Sequence, residues 1–512
     1  MPKTPSLKLY NLIKSLSGSE KRYFKLFATG NRADKSSKYL VLFEAIDNQE
    51  SFDDEELKKI VYQGEQIFSR KYSELKAYLY DLVLAGLRGY DEKSSIDFKI
   101  KGMLQSIRVL YKRSHYQDCR ELLPKIKKLA YKYESFSNIL EVLTWERQVA
   151  YAQMDITFLN NHLEGIDREE KDCLESLRNL SFYQHIFFRI LIHIRKNAVL
   201  RTKEQKEILN EIIHTDLLMN ISKAKSHHAK ITFHRIYGLY YYAIQDYQNF
   251  YTSSKAAINL IESVSYFLKE DTSEYISALS NYVLSCGLLD KYSELEQNMH
   301  KFSKIQPAVH SDKLTIYRQL LTANLRIFIN KGDFKSGLTL LNKHLKEKDD
   351  FKRNAFEKGT FYFQYFYIYF GIGDYDKALE YLNEWLNIPR SIERQDLQSL
   401  ARVLNLIIHF EMNNTILLDN LLRSTYRFLQ KRNRMYKVEK NVLTFIKDAN
   451  KTAYSRALKE AFIKLKDTFE ALAKDPSEKV MFQYFDFIAW ADSKINNEAF
   501  AGAVKRRYAL RD

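Results

Sequence analysis

Binding a phosphate or a dinucleotide requires clustered glycines, because only a backbone without Cβ atoms lets successive amides reach an anion. The nearest approach in this sequence is Gly371-Ile372-Gly373-Asp374, which joins two predicted helices and so reads as a hairpin turn. For metal ligation, His227 and His228 are adjacent and would point about 100° apart on a helix. His185 and His193 share a face only two turns apart, and no His-Glu-x-x-His occurs, so these histidines read as core or surface residues. A nucleophile elbow needs Ser or Cys between glycines. Cys286 precedes Gly287, but Leu284, Leu288 and Leu289 surround it and point to packing. The paired carboxylates Glu169 and Glu170, or Asp349 and Asp350, lie in charged segments with no apolar pocket to raise a pKa. The expectation is a protein that is not an enzyme, with no catalytic residue, no metal site and no cofactor.

Binding chemistry is better represented. Arg423, Arg427, Lys431 and Arg434 are spaced 4, 4 and 3 and would line one side of a continuous helix, unless a break near Asn433 splits them. The inner side of the same helix would carry Leu418, Leu421, Leu422, Phe428 and Leu429. Tyr362, Tyr365 and Tyr369 share a three-to-four-spaced side of an aromatic segment and could anchor a peptide. Two N-terminal helices, about 53 to 62 and 69 to 88, could form a helix-turn-helix that turns Arg70, Lys71 and Lys76 toward nucleic acid.

Such residues must be held by helices. The 512-residue chain contains only 15 Gly and 6 Pro, so the residues that punctuate strands and tight turns are scarce. Leu397, Leu400, Leu404, Ile407 and Ile408 recur at helical spacing, as do Leu122, Ile126, Leu129 and Tyr133. Hydrophobic residues at 45% and charged ones at 28% suit a folded, soluble chain. Cys119, Cys173 and Cys286 are far apart and odd in number, which fits a reducing compartment. The most apolar stretch, Phe361 to Phe370, is half of the roughly 20 residues a membrane span needs. The opening Met1 to Lys8 lacks an apolar signal segment, and the expected location is cytoplasmic. A net charge of +16 favours acidic partners, although excess Lys on solvated helix faces produces the same sum.

The clearest local pattern is Gly373-Asp374-Tyr375, followed by Ala378; a second copy is Gly332-Asp333-Phe334, followed by Gly337. Gly and Asp end one helix and cap the next, the aromatic wedges between them, and the small residue permits close approach. These segments resemble the tetratricopeptide repeat. Weaker copies stand at His115-Tyr116, Asp246-Tyr247 and Lys291-Tyr292, and Phe250 and Leu295 replace the small residue after Tyr247 and Tyr292. Successive turn residues Tyr247, Tyr292, Phe334, Tyr375 and Ile416 are 45, 42, 41 and 41 apart, longer than the roughly 34 of that repeat. The resemblance implies an all-α, right-handed α-solenoid whose concave face, lined by the first helix of each hairpin, binds partners.

The domains expected are an N-terminal helical domain over 1–95, the repeat array over 96–450, capping helices over 451–492 and a basic tail over 493–512. In the first of these, Ser17-Gly18-Ser19-Glu20 has the form of a capping box and Ser51 can cap a further helix. That opening resembles uncharacterised helical-repeat proteins of Bacteroidota, a likeness that implies no activity. The predicted function is a protein-protein interaction scaffold that binds a peptide or partner helix. The alternative is a nucleic-acid-associated regulator that uses the N-terminal helices and the basic stripe.

Overall fold

The computed structural model describes residues 7–30, 37–63, 69–92, 95–197, 203–307, 310–346, 355–387, 395–450, 455–475 and 477–510. Among them the chain is helical, without a strand. It divides into two compact units, Met1–Leu177 and Arg178–Asp512. The pair Asp349 and Asp350 lies outside the described residues. No helix of the described residues is long and apolar enough to cross a membrane.

The first unit contains α1 (Lys8–Ser15), α2 (Gly18–Thr29), α3 (Lys38–Asn48), α4 (Asp54–Tyr62), α5 (Ser69–Asp91), α6 (Ile96–Lys112), α7 (Tyr116–Lys132), α8 (Phe136–Ala152) and the start of α9 (Ile156–Asn197). Ser17 and Glu20 form the capping box that starts α2: each side chain takes the backbone N–H of the other. The next cap falls on Asp53 and not on Ser51, because the Asp53 carboxylate accepts from the amides of both Glu55 and Glu56. One apolar cluster gathers α1 to α5 around Phe24, Phe43, Leu79 and Val83, and a second gathers α6 to α9 around Ile107, Ile126 and Ile139.

The second unit continues with α10 (Lys203–Ile213), two short 3-10 turns, α11 (His227–Ile244), α12 (Tyr247–Ser263), α13 (Phe267–Glu270), α14 (Thr272–Leu288), α15 (Tyr292–Lys304), α16 (His310–Lys331), α17 (Phe334–Lys346), α18 (Ala355–Ile372), α19 (Tyr375–Leu386), α20 (Gln395–Glu411), α21 (Thr415–Lys431) and α22 (Lys437–Ala449). It ends with α23 (Ser455–Leu472), α24 (Lys479–Tyr484), α25 (Phe487–Ile495) and α26 (Phe500–Ala509). From α11 to α23 each helix packs on the next, and α14, α16 and α18 also pack on one another in turn. That two-step contact is what a stack of hairpins requires.

One backbone turn joins most of these hairpins. Ser114, Glu134, Met154, Gln245, Asp290, Gly332, Gly373 and Asn413 all have positive φ, each two residues before a helix start. The following amide reaches back five residues, as in Asp374 N–H to Tyr369 O at 3.0 Å and Ser135 N–H to Ala130 O at 2.8 Å. Glycine therefore marked only two of eight equivalent turns; the others place an ordinary side chain in the left-handed region at a cost of roughly 1–2 kcal/mol. In the first unit they recur every 20 residues, at 114, 134 and 154.

Close approach is distributed differently from the motif reading. A Cβ on Gly337 would lie 2.4 Å from Ile368 Cδ1 of α18, so the small residue serves the next hairpin more than its own. Where Leu295 and Phe250 stand instead, the facing helix supplies the space: a Cβ on Gly287 would be 3.2 Å from Leu295, and one on Gly238 3.8 Å from Phe250.

The segment expected as a basic tail is helical in α26. Phe500, Ala503 and Val504 are buried, Arg506 pairs with Glu498, and Arg507 pairs with Asp486. Three apolar residues at helical spacing outweighed the Lys505, Arg506 and Arg507 that follow them, and α26 packs on α16 and α18.

Candidate functional site

The tyrosine row lies within its own hairpin. Tyr365 and Tyr369 are buried and Tyr362 half-buried. All three rings contact Tyr381 of α19, at 6.2 Å from Tyr362, 5.1 Å from Tyr365 and 5.5 Å from Tyr369. Burial raises the pKa of each, with the nearby Tyr381 hydroxyl adding to the effect at Tyr365. The row's spacing marked a packed helix face, because a helix with aromatic residues all round it in a stack has neighbours on more than one side.

The basic stripe divides at the end of α21. Arg423, Arg427 and Lys431 are exposed on that helix and form no ion pair among the described residues. The helix stops at Lys431, Asn433 turns the backbone with φ 52°, and Arg434 is only 6% exposed. Arg434 therefore does not continue the row. Arg432 instead lies over the Phe428 ring at 4.0 Å, with Arg402 on the same ring. Beside the three free cations, Ile416 is 90% and Tyr426 53% exposed.

Of the N-terminal cations, Arg70 pairs with Glu74 on its own helix at 2.9 Å. Lys76 pairs with Asp54 at 2.9 Å and lies over the Tyr72 ring, which holds α5 against α4. Lys71 is exposed.

The inner wall of the second unit, built from α14, α16 and α18, faces the chain's own C-terminal segment. Glu478 accepts from the amides of Lys437 and Val438, both at 3.1 Å, which caps α22. Its neighbour Lys479 donates to the Gln245 carbonyl at 3.3 Å, and Gln483 accepts from the Tyr247 hydroxyl at 2.8 Å. The Tyr367 hydroxyl accepts from Asp486 N–H at 2.9 Å. Consecutive residues thus touch the α11–α12 turn and the start of α22, so the intervening hairpins curve around this segment. Glu411 fastens it from α20, accepting Trp490 Nε1 at 2.8 Å, the Tyr375 hydroxyl at 3.1 Å and Lys494.

Between wall and segment lies a cavity of about 750 Å³. Rings of Tyr242, Tyr247, Phe363, Tyr367 and Tyr484 line it, together with the polar groups of Arg318, Arg326, Gln319 and Gln364. Sequence reading did not single out this cavity, because its residues come from five hairpins and a return segment with no common spacing. The hint available was the eight-residue separation of Arg318 and Arg326 on one helix face.

Two polar clusters stand apart from it. His228, Asp271 and Glu274 bring potential ligand atoms within 4.8 Å of one another, but His228 Nε2 already bonds Asp271 at 3.0 Å and Glu274 pairs with Arg235. His227, next in sequence, stacks on Phe267 at 5.2 Å. Glu294 of α15 accepts from Tyr251 at 2.8 Å, Lys255 at 2.9 Å and Tyr282. Burial alone would raise its pKa, but the hydrogen bonds from Tyr282, Lys255 and Tyr251 prevail and hold the carboxyl down at about 2. It is locked as an anion and poorly suited to proton transfer. The three thiols are buried and unpaired, and burial pushes Cys286 up to about 12 and Cys173 to about 11.

Comparison of the chain with protein-family models and with curated proteins finds no match.

Proposed function

We propose that the protein is a non-catalytic interaction scaffold whose partner is an acidic peptide or helix. The observation that carries this reading is the outer face of α21, where Arg423, Arg427 and Lys431 form a row of three cations without an ion pair among the described residues, beside exposed Ile416 and Tyr426. Some cations elsewhere in the unit are met within the fold: Arg235 by Glu274, Lys301 by Glu262, Arg507 by Asp486. An amphipathic helix with acidic residues at three-to-four spacing would match the row in charge and the apolar side chains in contact. The wall of first helices, where a groove-bound peptide was expected, is occupied by α24 to α26, so the partner belongs on the open face.

A photo-crosslinking amino acid at Tyr426, in the full chain in its own cell, tests this. The expected result is a nuclease-resistant protein adduct that disappears in the Arg423→Glu, Arg427→Glu variant. A nuclease-sensitive adduct, with a gel shift that fades as salt rises, would replace the scaffold by the nucleic-acid reading. No adduct at all would remove both.

A further inference from the structure

The cavity behind the C-terminal segment is independent of the α21 face. Its volume of about 750 Å³ falls within the roughly 300–1,000 Å³ of pockets that hold small organic molecules. Its walls combine the rings of Tyr242, Tyr247, Phe363, Tyr367 and Tyr484 with a comparable share of polar surface, so a ligand here would need both an apolar body and a polar head.

Its charges do not balance. Four ionised side chains line it: Arg318, Arg326, Asp290 and Asp486. Asp486 is already met by Arg507 at 3.2 Å and by Ala489 N–H at 2.9 Å. Asp290 accepts the Tyr292 hydroxyl at 2.6 Å and offsets one arginine in the count. One positive charge is left over. Arg326 is the residue without a hydrogen bond or ion pair among the described residues, and its stem passes Gly287, where a Cβ would lie 3.9 Å from Arg326 Cδ. A half-buried guanidinium presents a planar fork of donors, which a carboxylate fills in two parallel bonds. A single excess charge matches a carboxylate better than a doubly charged phosphate.

We propose that this cavity binds a small organic monocarboxylate, its carboxylate on Arg326 and its apolar body against the rings of Tyr242, Phe363 and Tyr484.

Calorimetric titration of the full-length protein with benzoate, 3-phenylpropionate, indole-3-acetate, octanoate and dodecanoate, each paired with its neutral amide, tests the proposal. At least one acid should bind, and its amide should bind at least about tenfold more weakly, the scale of one charge-assisted hydrogen bond. Arg326→Met should bring the acid down to the level of the amide, and Arg326→Lys should restore part of the difference. Ser280→Phe, which fills the cavity from α14, should abolish both. Should Arg326→Met melt early, Arg326→Lys and Ser280→Phe carry the test. Failure of every acid at millimolar concentration, equal affinity for acid and amide, or indifference to all three substitutions would overturn it.

Discussion

The Tyr247 hydroxyl donates to Gln483 Oε1 at 2.8 Å across 236 residues of sequence. This bond joins the first strongly aromatic turn of the second unit to the segment that returns past its inner wall. Packing of α26 on α16 is part of the same return, and two glycine turns report on it separately. Gly332 and Gly373 both have positive φ, but a Cβ on Gly332 would meet Lys505 N at 2.9 Å and Ala501 O at 3.0 Å, whereas one on Gly373 meets nothing within 4 Å.

Gly373→Ala should therefore lower stability by about 1–2 kcal/mol, the left-handed backbone cost alone. Gly332→Ala should lose roughly 1–3 kcal/mol more through overpacking against α26. Equilibrium urea unfolding measures both. Equal losses would mean that α26 does not dock on this turn.

Trp490→Phe should cost about 1.5–3 kcal/mol, because a buried carboxylate loses one of its donors. Glu411 receives Trp490, Tyr375 and Lys494, so the loss should not be additive with that of Tyr375→Phe. A double-mutant cycle in urea reads the coupling, and additive losses would show that the three donors act independently.

Acid should weaken the packing of α12, α14 and α15. The Glu294 carboxyl is held at about 2 in the folded chain, below its ordinary 4.5, so it binds protons less readily than when unfolded. Its contribution is fully present above pH 4.5 and is lost as pH falls toward about 2. Glu294→Gln should be less stable than the parent at neutral pH, and that difference should shrink across this window. Thermal unfolding followed by circular dichroism at graded pH checks the sign.

Gly337→Ala places a methyl 2.4 Å from Ile368 Cδ1 and should cost about 1–3 kcal/mol. Ile368→Val removes that Cδ1 and should cost about 0.5–1.5 kcal/mol alone. Combined, the two should cost less than their sum, as urea midpoints would show. Strict additivity would place the close approach elsewhere.

The helices and their punctuation were legible in the sequence where a residue type dictates backbone geometry. Gly332-Asp333 and Gly373-Asp374 announced their turns because glycine tolerates positive φ and aspartate caps the next helix, and Ser17 with Glu20 announced the start of α2. The six equivalent turns at Ser114, Glu134, Met154, Gln245, Asp290 and Asn413 were not legible as left-handed. There the geometry is imposed by helices packed on either side, which repay the strain. The row of Arg423, Arg427 and Lys431 was readable as a helix face, while the removal of Arg434 depended on one residue at Asn433. Burial of Tyr365 and Tyr369, and the return of Lys479 to Gln245, were decided by tertiary structure alone. Spacing fixes which residues share a face, but which neighbour covers that face depends on how far the stack curves. That curvature is a sum over every helix contact, such as Gly287 with Leu295 and Gly337 with Ile368, and no single segment encodes it.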